Sequence, residues 1–175
     1  VVTGIPINPK FYVEHDLEEL KNKYKINNGF RTILLVASFR MSEKNLISMV
    51  KHILNMKPPV NLIFVANGNE KIYNLVKNIQ NERLIAFKWT NEMEECIKIS
   101  DAVISKAGGL TVSECIASKK PIIIINPILG QEEHNAEFVE KNKYGVRAKS
   151  ANEIIRLLPK VFLDNQNNIH NELFF

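Results

Sequence analysis

The sequence predicts a doubly wound, Rossmann-like α/β domain built on a parallel sheet of about six strands. Three observations carry this reading. Short apolar runs alternate with amphipathic runs from Thr32 nearly to the end of the chain. The apolar runs are continuous rather than alternating with polar residues, which marks strands covered on both faces. Gly and Pro fall between the runs, where connections belong. A chain of 175 residues suits one domain with a sizeable core and is too short for two large ones.

The elements follow in order. "TILLVAS" reads as a buried first strand. "EKNLISMVKHILNM" reads as a helix with Leu46, Ile47, Val50 and Ile53/Leu54 on its apolar side. "PVNLIFVA" is the second strand, begun after Pro58-Pro59, and "EKIYNLVKNIQ" the next helix. "RLIAFKW" is a strand and "EMEECIKIS" a short helix. "DAVISK" is a strand that runs into Gly108-Gly109, and "LTVSECIAS" is the helix after it. "PIIIINP", "EEHNAEFVEKN", "YGVRA" and "ANEIIRLLPKVFL" complete the alternation as strand, helix, strand and helix. The ends differ. "VVTGIPINPKF" has no strong period and reads as a linker, followed by a helix at "HDLEELKNKY". The tail "DNQNNIHNELFF" is polar and then abruptly apolar, as expected if a packing partner is missing.

Composition excludes several classes of function. The net charge of +4 comes without a run of five or six like charges or a basic stripe interleaved with aromatics, so no nucleic-acid partner is expected. Cys96 and Cys115 fall on predicted helices without metal spacing, and the four histidines are scattered, so no metal site is expected. Two thiols in such a domain point to a reducing, cytoplasmic setting. The longest apolar run, Ile122 to Ile125, is far too short to span a bilayer.

The chemistry concentrates in "ISKAGGLTVSECIASKKPIIIINPILGQEEHNAEFV". Ligands of open α/β sheets sit beyond the carboxyl ends of the strands. Gly108 and Gly109 leave backbone N–H groups bare at a helix start, where the helix dipole favours an anion, and Thr111 adds a hydroxyl. That suits a phosphate or diphosphate, although a plain tight turn would use the same two glycines. Glu114 lies within the first two turns, where a carboxylate can accept bonds from both hydroxyls of a ribose. It could equally complement the helix N-terminus. Gln131, Glu132 and Asn135 stand at the next helix start, and their amide and carboxylate groups suit a polyhydroxylated ligand; an acidic, capped N-terminus is the alternative. His134 reads as a surface histidine. The turn after the first strand, "ASFRMSEKN", has no glycine, so no dinucleotide fingerprint is present, and no P-loop occurs.

These residues carry a resemblance. "FKWTNEM", "SDAVISKAGGLTVSECIASKKPIIIINPILGQEEHNAEFVEKNKYGV" and the opening "VVTGIPINPKF" are similar to the donor-binding, C-terminal half of GT-B glycosyltransferases. The nearest group is the processive diacylglycerol glucosyltransferases and monogalactosyldiacylglycerol synthases. The lipid-linked peptidoglycan N-acetylglucosaminyltransferase is more distant. The resemblance implies that Gly108, Gly109 and Thr111 face the diphosphate of a UDP-sugar and that Glu114 holds the ribose. Gln131, Glu132 and Asn135 would hold the sugar hydroxyls, and Trp89, Thr90 and Met93 would lie beside the uracil. It further implies residues 1–30 as interdomain linker and entry helix, residues 31–175 as the UDP-sugar-binding domain, and an N-terminal acceptor domain outside this chain. No catalytic residue is then expected here, and no cofactor beyond the substrate, UDP-glucose or UDP-galactose. The acceptor would be a diacylglycerol-type lipid reached at the inner face of the cell membrane, by peripheral contact. A peptidoglycan-type transferase and a non-catalytic nucleotide-sugar-binding module are the alternatives. The sequence departs from the family in lacking the glycine-rich turn, in Lys88 where glycine is common, and in Leu129 where many have proline.

Overall fold

A computed structural model of the chain describes residues 5–37, 41–125 and 130–168. A single 3-10 turn at Pro9–Tyr12 precedes α1 (Leu17–Lys23). Six strands then alternate with six helices: β1 (Arg31–Val36), α2 (Glu43–Leu54), β2 (Val60–Val65), α3 (Glu70–Lys77), β3 (Leu84–Phe87) and α4 (Met93–Lys98). β4 (Ala102–Ser105), α5 (Gly109–Ala117), β5 (Ile122–Ile125), α6 (Gln131–Lys141), β6 (Gly145–Ala148) and α7 (Ala151–Asn168) follow. Every strand pairing is parallel, and the spatial order is β3-β2-β1-β4-β5-β6. The element sequence is the one the apolar runs predict. The order across the sheet is new information, because periodicity does not encode which strands neighbour.

Alternate residues of each strand enter opposite layers, as the pleat requires. Ile33, Leu35, Leu62, Phe64, Ile104, Ile123 and Ile125 pack with α2, α3 and α7. Leu34, Ile63, Val65, Val103, Ile122 and Ile124 pack on the other face, with Cys96 and Ile97 of α4, Val112 and Cys115 of α5, and Ala136 and Val139 of α6. Both cysteines are buried and free. Burial pushes the Cys96 thiol up to about 12 and raises that of Cys115 as well. The entry segment joins this second layer: Phe11, Leu20 and Ile26 are each buried in it. Of the linker-like stretch, Phe11 and the partly buried Ile7 therefore pack on the domain, whereas Ile5 is exposed. Residues 38–40 of the glycine-free turn, Leu129 and the apolar end of the tail lie outside the described residues.

Chain reversal decides where a ligand can enter. The chain winds outward from β1 through β2 to β3, then returns to β4 beside β1 and winds the other way. The crevice of a doubly wound sheet opens at that reversal, at the carboxyl ends of β1 and β4. Gly108 and Gly109 follow β4 there directly.

Candidate functional site

The conformation of the two glycines separates the two readings of the turn. Gly108 has φ −66° and ψ 130°, an extended geometry open to any residue. Among the described glycines only Gly68 and Gly130 take positive φ. A Cβ added at Gly108 would stand 3.7 Å from Lys106 Cε, an ordinary contact. One at Gly109 would meet Ile5 Cδ1 at 2.7 Å, the movable end of a side chain, and Asn135 Nδ2 at 3.6 Å. Neither the backbone nor the core asks for glycine at 108. Both glycines are half-exposed, and at 108 no side chain stands over the peptide edge. No side chain among the described residues caps α5, whereas Asp16, Ser42 and Asn69 cap α1, α2 and α3. α4 and α6 likewise lack a side-chain cap, and of the three α5 is the one that starts beside the switch point, where free first-turn N–H groups can receive an anion.

α6 holds this turn at two points. Asn135 Nδ2 donates to the Ala107 carbonyl oxygen at 2.8 Å, and Lys106 Nζ pairs with Glu132 Oε1 at 2.8 Å. Residues 132 and 135 share a helix face because they are three apart. Glu133 turns instead to Arg147 of β6, and the His134 side chain is 82% exposed. Gln131 opens α6, and its side chain lies outside the described residues. Lys106 is a participant that sequence reasoning missed. Its signal was its place just before the glycine pair.

Glu114 sits half-buried on α5, and its carboxyl is pushed up to about 7, chiefly by burial and then by the charge of Glu94. Glu94, on α4, is only 6% exposed and pairs with Lys10 Nζ at 3.4 Å. Nothing in the sequence marks the Glu94–Glu114 relationship, since it is made between two helices. Lys10 lies in the 3-10 turn, which itself rests against α5.

Trp89, Thr90 and Met93 follow β3. Trp89 is 61% exposed, with Nε1 donating to Asn91 Oδ1 at 3.3 Å. Thr90 Oγ1 accepts from the Glu92 N–H at 3.0 Å, and Met93 packs into the second layer. Three strand spacings, about 14 Å, separate β3 from β4, so these residues and the glycine turn could contact only the two ends of an extended ligand. Lys88 pairs with Glu70 at 2.9 Å on the surface. Among the described residues there is no cluster of His, Cys, Asp and Glu that could hold a metal, and no helix is long and apolar enough to cross a membrane.

An open parallel sheet wound both ways from neighbouring central strands defines the class: a Rossmann-like α/β domain, the form of one half of GT-B glycosyltransferases. The chain belongs to the glycosyltransferase family 28 C-terminal domain family, which matches residues 41–173. It is 31% identical over 159 residues to a processive diacylglycerol beta-glucosyltransferase of Staphylococcus epidermidis, covering 90% of this chain and 41% of that protein. The chain thus spans about two fifths of the length of that curated relative. A glycosyltransferase from Rickettsia africae shares the fold with a TM-score of 0.66 and 20% identity, over 90% of this chain and 45% of that one. The C-terminal domain of a group 1 glycosyl transferase from Francisella tularensis matches with a TM-score of 0.61 and 16% identity, over 93% of this chain and 90% of that one.

Proposed function

We propose that this chain is the donor-binding domain of a glycosyltransferase that moves a hexose from a UDP-sugar to a diacylglycerol-type lipid. The observation that carries the reading is Gly108: a glycine with no conformational or packing reason to be one, at an uncapped helix start on the switch point. The first-turn N–H groups of α5, with Thr111, would receive the diphosphate. Glu114 would accept from the ribose hydroxyls, and Trp89, Thr90 and Met93 would border the base. Glu132, Asn135 and Gln131 would address the sugar, with Lys106 holding Glu132 in place. The name borne by the staphylococcal relative supports the lipid acceptor and glucose as the sugar. UDP-galactose is the other donor of the same chemistry. In this reading the domain forms one wall of a cleft, the second wall carrying acceptor and base. Action on a membrane lipid by a chain of this kind implies peripheral contact at the cytoplasmic face.

Calorimetry on the 175-residue chain tests the anion assignment. UDP should bind with a Kd on the order of 0.1–1 mM, because one wall cannot offset loop ordering by closure. Uridine should bind at least tenfold more weakly. Equal affinities for uridine and UDP would sink the diphosphate site.

A further inference from the structure

We propose that a recess at the opposite end of the sheet, lined by Lys21, Lys98 and Lys120, is a second anion site, for a phosphate-class oxyanion. The recess measures about 280 Å³ and lies where β1, β4 and β5 begin, against α1 and the end of α4. The length of β4, about 13 Å, separates it from the glycine turn.

Charge is what sets this recess apart. Lys21, Arg31, Lys98 and Lys120 line it against one acid, Asp101. Asp101 is already engaged at both oxygens: Oδ1 accepts from Arg31 Nη1 at 2.6 Å and Oδ2 from the Thr32 N–H at 2.8 Å. Among the described residues Lys21 pairs only with Glu18, on the surface at 3.2 Å. Among the described residues no carboxylate lies within ion-pair distance of Lys98 or Lys120. Glu94 and Glu14 act on Lys98, and Asp101 on Lys120, only from farther away. Burial lowers the proton affinity of both ammonium groups, and Lys21 and Lys98 lower that of Lys120 further.

A largely buried ammonium without a partner is costly, so a protein keeps one where something neutralises it. The carbonyl ends of α4 and α5 lie at this end and contribute part of the compensation. They do not balance Lys98 and Lys120, which with Lys21 line a space large enough for a tetrahedral oxyanion. A phosphate would accept from the three Nζ groups at once, as charge-assisted bonds favour. The same group is presented by free inorganic phosphate and by a phosphomonoester lipid headgroup.

The test follows amide chemical shifts of the 175-residue chain during titration with inorganic phosphate, with sodium chloride at matched ionic strength as reference. Shifts should saturate at Ser100, Asp101 and Lys120, separately from any at Gly108 and Gly109, which report the donor face. Lys120→Met should weaken the response at the first group at least tenfold while raising or preserving the melting temperature in phosphate-free buffer. Lys98→Gln provides a second variant and should weaken the response several-fold. Co-sedimentation with phosphatidylcholine vesicles, with and without phosphatidic acid, identifies the source. Pelleting that needs phosphatidic acid and Lys120 points to a headgroup; phosphate shifts without pelleting point to the free ion. If neither response occurs, or if both persist in Lys120→Met and Lys98→Gln, the site does not exist.

Discussion

Glu94 of α4 bears electrostatically on Glu114 of α5, and together with burial it holds the Glu114 carboxyl near pKa 7. A ribose-binding carboxylate must be ionised to accept from two hydroxyls. UDP affinity should therefore rise between pH 6 and 8, as calorimetry across that range would register. The sign for stability is the opposite. A folded-state pKa raised above the unfolded value favours the protonated fold, so this contribution is complete below about pH 4.5 and lost as pH rises through 7. Glu114→Gln should flatten that stability slope and raise the melting temperature at pH 8. It should also weaken UDP by about 1.5–3 kcal/mol, the range for hydrogen bonds to a charged group. An affinity independent of pH in wild type would remove Glu114 from the ribose.

Two glycines should answer differently to alanine. A Cβ at Gly145 would stand 1.9 Å from the Ile122 carbonyl oxygen, inside backbone that cannot retreat. Gly145→Ala should cost at least about 3 kcal/mol, the upper part of the overpacking range. Gly108→Ala should change stability by less than about 1 kcal/mol, since no strain or contact opposes it. It should nonetheless weaken UDP binding tenfold or more. Denaturant melts paired with calorimetry would decide, and a Gly108→Ala protein with unaltered UDP affinity would return the turn to a purely structural role.

Asn135 has a structural duty whether or not a sugar is bound. Its amide donates to Ala107 at 2.8 Å, so Asn135→Ala should lower stability by about 1 kcal/mol without ligand. UDP-sugar affinity should fall as well, because the glycine turn loses one of its ties to α6. Asn135→Asp, which lacks the donor, should share the stability loss. Unchanged melting in both variants would mean the bond to Ala107 contributes nothing.

Transfer needs a base within about 2.6–3.2 Å of the acceptor hydroxyl. Glu132 pairs with Lys106, Glu133 with Arg147, and His134 faces solvent near Glu137. With a donor bound as proposed, α6 would address its sugar, and none of the three would face an acceptor arriving from the far side. Residues 1–175 alone should glycosylate no lipid with any UDP-sugar, in a radiolabel transfer assay. Turnover lost in His134→Ala would show that the base lies on α6 after all.

The sequence by itself determined the alternation of strands and helices, because continuous apolar runs and 3.6-residue periodicity are local signals. It also located the glycine pair at a strand end, and the resemblance attached a nucleotide-sugar chemistry to it. Three decisions belonged to the tertiary structure. Strand order put β4 beside β1, since neighbours across a sheet depend on non-local pairing that no periodicity records. The backbone angles of Gly108 showed that its conformation does not require glycine, which two identical letters cannot do. Packing of α4 beside α5 brought Glu94 near Glu114, and packing of α6 on the β4–α5 connection brought Lys106 to Glu132; burial and proximity, properties of the assembled layers, set the charge state of Glu114 and the orientation of Glu132.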